Sequence, residues 1–405
     1  MTDFELVPTV MVAGGASLAH DGGGRVVFVD GALPGERVRV RLTEERKDFA
    51  RAVAVEVLEA SPDRVAPPCP ALAAGCGGCT WQHVSLVAQE RLKAGIVVDA
   101  LRRIGRLPDP PTPSSVPLSG PTMRTTARLA VAEDGRAGHR RRGEAGEAVA
   151  TDACLAVHPL LEELIVDGRY PGAGEVLLRV GVASGERLAQ VREAAAADVR
   201  VPADVVVVAQ GDGRPAFVHE EVAGRRFRVS AGSFFQPGPV AAEGLVAAVS
   251  AAAGESLPAG GGGRLVDAYA GVGLFASTLG AVRGAHVTAV ESDRAAVADA
   301  RVNLADLDAK VVVSEVGRWK PTGRRASTVD VVVADPSRPG LGKPGVAALV
   351  ALGAPRLVLV SCDPASLGRD VALLAAAGYR LGEVALVDAF PHTFHVETVS
   401  RFDRG

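Results

Sequence analysis

Between residues 265 and 360 the chain alternates short runs rich in Val and Leu with helical patterns, and no other feature constrains its fold as tightly. Strands are expected at 265–269, 286–291, 310–314, 330–334 and 356–360, with helices between them. Crossovers between parallel strands are right-handed, so the stretch reads as a largely parallel, doubly wound α/β sheet. Ligands of such sheets bind at the carboxyl ends of the strands. Two further strands, at 380–387 and 394–402, leave no room for a helix between them and predict a terminal hairpin.

A chain of 405 residues exceeds one ordinary core, so two or three domains are expected. Ahead of the sheet, strands at 9–12, 25–29, 37–42 and 50–58 suggest a small β-barrel of the oligonucleotide-binding kind. A proline-containing linker at 61–70 leads to a helix-like stretch at 84–104 and a proline-rich connector at 108–121. Strands and helices then mix up to about 230, with 176–182 and 205–209 the clearest strands. The expected domains are 1–60, 61–230 and 231–405.

A hydrophobic share of 48% with 22% charged residues excludes a disordered chain. Apolar runs fall short of the roughly 18 residues that a membrane span needs, so no membrane partner is expected. With no export signal at the N-terminus, a cytoplasmic protein is expected. The net charge of -3 gives no global sign of a polyanionic partner. Arg37, Arg39 and Arg41 nevertheless alternate along one strand, with Arg46, Lys47 and Arg51 soon after, and Arg140, Arg141 and Arg142 form a run beside His139. Either group reads as a solvated face or as a phosphate contact.

The string LVDAYAGVGLF at 265–275 passes from a buried strand through a Gly turn into a helix. Gly271 and Gly273 let backbone approach a ligand where a side chain would collide. Glu291, at the end of the next strand, is placed to accept hydrogen bonds from both ribose hydroxyls of an adenosine. These features fit NAD as well as S-adenosylmethionine, leaving an NAD-dependent oxidoreductase as a rival reading. Asp335 opens DPSRPG at the fourth strand end, and an acid followed by proline there favours a methyltransferase acting on a planar base.

The fifth strand runs into SCDPASLGRD, which sets Cys362 at a strand end and Pro364 in the first turn of a helix. A thiol facing a helix N-terminus is expected to have a lowered pKa. Glu397, in FPHTFHVETV, could reach the same cleft, although strand register cannot be read from sequence. The other cysteines are Cys69, Cys76 and Cys79 in CPALAAGCGGC, and Cys154. Three thiols within eleven residues and a fourth from afar suit one metal centre, either zinc or a four-iron cluster.

Taken in order, these motifs resemble the RNA uracil-5 methyltransferase family, in the form with an N-terminal TRAM domain and an iron-sulfur cluster. LPGERVRVRL is similar to the TRAM barrel, CPALAAGCGGCTWQH and Cys154 to the cluster ligands, and GSFFQP, YAGVGLF, DPSRPG, SCDPASLGRD and HVETVSRF to the catalytic domain. The resemblance implies an OB-fold TRAM barrel, a central α+β domain carrying a [4Fe-4S] cluster on Cys69, Cys76, Cys79 and Cys154, and a Rossmann-like catalytic domain. It implies that Gln236, Tyr269, Gly271, Gly273, Glu291 and Asp335 bind S-adenosyl-L-methionine.

By the same resemblance, Cys362 adds to carbon 6 of a uridine, carbon 5 takes the methyl group, and Glu397 removes the carbon 5 proton. Structured RNA is the implied partner, with 23S rRNA favoured over tRNA, and a monomer is expected. Ser337 and Asp363 depart from the family pattern, which more often has Pro and Asn there. A carboxylate beside the thiol would oppose its ionisation, so a non-catalytic RNA-binding protein with a decayed methyltransferase domain is a second rival.

Overall fold

In a computed structural model, which describes residues 3–143, 147–258, 260–320 and 329–405, the N-terminal stretch forms a six-stranded sheet. Its long strands Arg37–Glu45 and Phe49–Glu59 pair antiparallel with three register shifts. Each shift bends and twists the ribbon, as a barrel-like domain requires. Val38, Val40, Ala50 and Ala52 point into its core, so the arginines that alternate with them face outward. There Arg37 meets Glu59 at 2.7 Å, Arg41 meets Asp3 at 3.0 Å, and Arg39 pairs with Glu56. Of the two readings of the arginine row, these ion pairs fit the solvated face, with each guanidinium partnered by an acid of the same domain.

The linker is fastened to this barrel by a buried pair, since Glu36 is fully buried and accepts two hydrogen bonds from Arg64, at 2.6 and 2.7 Å. It also accepts from the amides of Leu33 and Ser61, so none of its charge is left unpaired. The next helix, Leu86–Arg103, starts at an N-cap formed by Ser85. Its Val97 and Leu101 share a core with the catalytic sheet, although they lie within the span expected for the central domain.

A second six-stranded sheet follows, with strand order Ala148–Ala150, Ala137–Arg140, Thr126–Val131, Glu175–Val180, Arg187–Arg192 and Val205–Ala209. The helix Pro159–Val166 covers it, burying Leu161, Leu164 and Ile165. The hairpin Phe217–Val222 and Arg225–Ser230 sends Phe227 and Val229 into the catalytic core.

The catalytic sheet has eight strands, ordered Ala309–Val313, His286–Glu291, Arg264–Ala268, Val331–Ala334, Arg356–Ser361, Glu397–Arg404, Tyr379–Val387 and Ser114–Ser115. The first five are parallel, and the chain reverses direction of winding between Arg264–Ala268 and Val331–Ala334, which opens a crevice at their carboxyl ends. Glu397–Arg404 inserts antiparallel between Arg356–Ser361 and Tyr379–Val387, giving the expected hairpin. It begins at 397 rather than 394 because residues 392–396 form a loop, in which His392 adopts φ +63. Between the third and fourth sequential strands, only the short 3-10 turn Val316–Arg318 occurs among the described residues, where a full helix was expected. Among those residues, no helix is long and apolar enough to cross a membrane.

Candidate active site

The strand Arg264–Ala268 is buried on both faces and ends in a tight turn that only unusual backbone angles can make. Tyr269, Gly271 and Gly273 all have positive φ, of +61, +55 and +90. Such angles are uncommon for a tyrosine, and here they direct the turn across the strand ends. A Cβ on Gly271 would meet no protein atom within 4 Å, so the space beside it is open. The Gly271 amide donates to Glu291 Oε2 at 2.8 Å, and Glu291 Oε1 accepts from the amides of Ser292 and Asp293. Glu291 therefore braces the glycine turn as well as facing the crevice.

Asp335 follows the fourth strand and accepts a 3.1 Å hydrogen bond from Gln236 Nε2. Gln236 stands at the end of the segment GSFFQP, whose shape is fixed by Asp299 on the helix Arg294–Asn303. That fully buried carboxylate accepts from Ser230 Oγ at 2.8 Å, Ser233 Oγ at 2.6 Å and Arg228 Nε at 2.7 Å. Asp370 does the same for DPSRPG, accepting from the amides of Leu341 and Gly342 at 2.7 and 3.0 Å. Neither Asp299 nor Asp370 was singled out from the sequence, because their partners lie 66 to 71 and 28 to 29 residues away.

Cys362 directly follows the strand Arg356–Ser361, and the next helix, Pro364–Ala376, starts with Pro364 in its first turn. Asp363 is the N-cap, its Oδ1 accepting from the Ser366 amide at 2.7 Å. Asp and Asn serve this role equally well, which accounts for the first departure. The second, Ser337, accepts through its carbonyl from the Gly340 amide at 2.8 Å, and nothing in the structure explains the side chain there. In the neighbouring strand pair, Ser361 is the partner of Thr398. Continuing that register by one residue sets Cys362 opposite Glu397.

The electrostatics differ from the sequence expectation. Burial pushes the Cys362 thiol up to about 12, helped by the charges of Glu397 and Asp335 and opposed by Arg338. The lowered pKa expected from the helix N-terminus is thus overridden in the ligand-free site, because desolvation of a buried thiolate is the larger effect. Burial also raises Asp335 to about 7, against the Gln236 hydrogen bond, and Glu397 well above the usual carboxylate range.

Asp267, fully buried one strand over, rises to about 8 through burial, with Asp335 and Glu291 adding to it. Its Oδ2 accepts from the Ala276 amide at 2.7 Å, and its Oδ1 has no hydrogen-bond partner among the described residues. Asp267, Glu291 and Asp335 therefore stand at the carboxyl ends of parallel strands and Glu397 at the amino end of the antiparallel strand beside them, while the positive charge of Arg338 acts on both Cys362 and Glu397. Such a site suits a ligand that brings a positive charge of its own, and a sulfonium does so.

The four remaining cysteines come together from two segments. Cys76 lies within electrostatic range of Cys69 and Cys79, and Cys154 within range of Cys76 and Cys79. Among the described residues, no three His, Cys, Asp or Glu side chains are arranged to hold one metal ion. The run Arg140 to Arg142 wraps this loop instead of facing solvent alone. The Gly77 amide donates to Arg140 O at 3.0 Å, Arg141 Nη1 donates to Ala74 O at 2.9 Å, and Arg142 Nη2 donates to Cys79 O at 3.1 Å.

Known proteins share both the sequence and the architecture. Residues 13–55 match the TRAM domain and residues 315–403 match the tRNA (Uracil-5-)-methyltransferase family. A 23S rRNA (uracil(1939)-C(5))-methyltransferase, RlmD, of Methylococcus capsulatus is 34% identical over 96% of this chain and 96% of its own. The chain belongs to the RNA (uracil-5-)-methyltransferase family. An uncharacterized RNA methyltransferase of Streptomyces avermitilis is 37% identical over 98% of this chain and 97% of its own.

The crystal structure of the Pyrococcus abyssi tRNA (uracil-54, C5)-methyltransferase in complex with S-adenosyl-L-homocysteine shares the fold. Its TM-score is 0.73, with 23% identity, over 98% of this chain and 99% of that one. As a member of the family the protein is an RNA methyltransferase with a TRAM domain, and the expected S-adenosylmethionine is the methyl donor that this activity calls for. The oxidoreductase and decayed-domain readings are set aside.

Proposed function

We propose that this enzyme methylates carbon 5 of a uridine in 23S rRNA, with Cys362 as covalent nucleophile and Glu397 as the base. The observation that carries the reading is the strand register that sets these two residues opposite each other beside Asp335. The ribosomal substrate is favoured by the RlmD relative, which matches over nearly the whole length of both chains.

Bound S-adenosylmethionine supplies an electrophilic methyl group and a sulfonium charge. Gln236, Tyr269, Gly271, Gly273, Glu291 and Asp335 hold it, at the open space beside Gly271 and the carboxylate row. A positive charge there lowers the pKa of Cys362, Asp335 and Glu397 together, and so favours the thiolate that the resting site disfavours. The Cys362 sulfur forms a bond to carbon 6 of the uracil, and the ring electrons move toward carbon 5. After carbon 5 has gained its methyl group, Glu397 takes the carbon 5 proton and the carbon–sulfur bond breaks to restore the thiolate. The uridine must leave its stack to reach a thiol at a strand end.

Cys69, Cys76, Cys79 and Cys154 carry a [4Fe-4S] cluster in this reading. The electrostatic range that links Cys76 with Cys69 and Cys79, and Cys154 with Cys76 and Cys79, supports one shared centre, and the family resemblance favours a cluster with one thiolate per iron over zinc. The experiment that tests the function is mass mapping of 23S rRNA and tRNA after incubation with the enzyme and S-adenosylmethionine. A 5-methyluridine in the ribosomal transcript is expected, and one confined to tRNA overturns the substrate assignment. Protein prepared anaerobically should contain iron and sulfide in equal amounts, and stoichiometric zinc without iron overturns the cluster.

A further inference from the structure

The loop between the last two strands runs through Asp388, Phe390, His392 and Phe394 directly into Glu397. Four segments far away in sequence converge on it. The amides of Thr80 and Trp81, just past Cys79, both donate to His392 O, at 3.0 and 2.8 Å. Gln89 accepts from the His392 amide through Oε1 at 2.6 Å, while its Nε2 donates to the carbonyls of Trp81 and Val84. Lys93 is fully buried, and its ammonium donates to Asp388 Oδ1 at 2.6 Å and to Phe390 O at 3.0 Å.

Two more contacts close the cage. The Arg124 guanidinium lies 6.0 Å from the Phe390 ring centre and donates to Gly78 O, between two of the cysteines. On the barrel side, Gly15 sits so close to Phe394 that a Cβ would lie 2.6 Å from the ring, and its carbonyl accepts from Trp81 Nε1 at 3.0 Å. The His392 backbone is held at φ +63, in the left-handed region that few non-glycine residues occupy, and these partners hold the loop in that shape.

The same helix also braces the nucleophile. Farther along Leu86–Arg103, Ala100 and Ile104 rest on Gly368 of the helix that starts behind Cys362, where a Cβ would stand 2.8 Å from Ala100 O. One end of this helix thus fixes the loop before Glu397 and the other end fixes the helix after Cys362. Burying an ammonium group is unfavourable unless it is paired, so the Lys93 contacts mark a junction of fixed geometry.

We infer that Gln89 and Lys93 are positioning residues for Glu397, acting through the loop of residues 388–396 that they hold. The inference rests on the proposed role of Glu397. Methyl transfer needs Cys362 and the donor site, whereas release of the product needs Glu397 in place. Loosening the loop should therefore slow the second step selectively, a split that a merely structural role does not produce.

The test is single-turnover methylation with labelled S-adenosylmethionine and whichever unmodified transcript, 23S or tRNA, the wild-type enzyme methylates. Denaturing gels read the methyl-bearing covalent enzyme–RNA complex, and free methylated RNA is counted separately. Gln89→Ala is expected to form the labelled complex at close to the wild-type rate but release product about tenfold more slowly, with donor affinity unchanged. Lys93→Met should do likewise, with Lys93→Arg partly restoring release, and thermal melting identifies any variant that is not folded. Folded Gln89→Ala that releases product at the wild-type rate, or loses complex formation and release together, overturns the inference. Glu397→Gln run alongside separates the two levels: accumulation there without accumulation in Gln89→Ala sinks only this inference, and no accumulation in Glu397→Gln sinks the role of the base and the inference with it.

Discussion

Ser361 and Thr398 are partners across antiparallel strands, and Thr398 Oγ1 donates to Ser361 O at 3.1 Å. This pairing fixes which way the last strand faces. A slip of one residue would turn Glu397 to the opposite face of the sheet, away from Cys362.

Cys362→Ala should bind S-adenosylmethionine with unchanged affinity, because the donor residues lie on other strands, and should form no 5-methyluridine. Calorimetric titration and nucleoside mass spectrometry check the two halves. Methylation at the wild-type rate in this variant removes Cys362 as nucleophile.

Glu397→Gln keeps the shape of the buried side chain and removes its capacity to accept a proton. A methylated RNA–enzyme complex should persist in denaturing gels, with turnover lower by about 100-fold or more. Free turnover assigns the proton to another group.

The carboxylate row makes the ligand-free protein sensitive to pH. Asp335 titrates at about 7 when folded against 3.8 ordinarily, so its neutral form favours the folded state. That contribution is fully present below 3.8 and is lost as pH rises through about 7. Asp335→Asn, which can still accept from Gln236, should therefore stabilise the ligand-free protein by roughly 2 kcal/mol more at about pH 8 than at about pH 5. The same change should weaken donor binding. Equal melting shifts at the two pH values would show that Asp335 is ionised throughout.

Asp363→Asn should leave both stability and methylation unchanged, since either side chain caps the helix. Asp363→Ala should cost about 1 kcal/mol through loss of the cap. A large rise in the rate of Asp363→Asn would instead reveal a direct electrostatic brake on Cys362.

The sheet was readable in sequence because each strand's apolar run and each Gly turn is a local signal. The glycine turn at 271–273, the position of Pro364 and the terminal hairpin all follow from neighbours in the chain. The thiol pKa was misjudged for the opposite reason. A helix N-terminus is visible locally, but the burial and the Glu397 and Asp335 charges that outweigh it arrive from strands 27 to 35 residues away. The ion pairs of the arginine row were illegible likewise, because Glu56, Glu59 and Asp3 come from other segments.

By itself, the sequence determined the doubly wound sheet, the residue types at each strand end and the family they belong to, since periodicity and turn chemistry act over a few residues. Tertiary structure alone decided the register that brings Glu397 to Cys362, the burial that raises their pKa values, and the packing of residues 78–103 behind both. Those depend on which surfaces meet across the fold, and desolvation and strand register belong to the assembled protein rather than to any one segment.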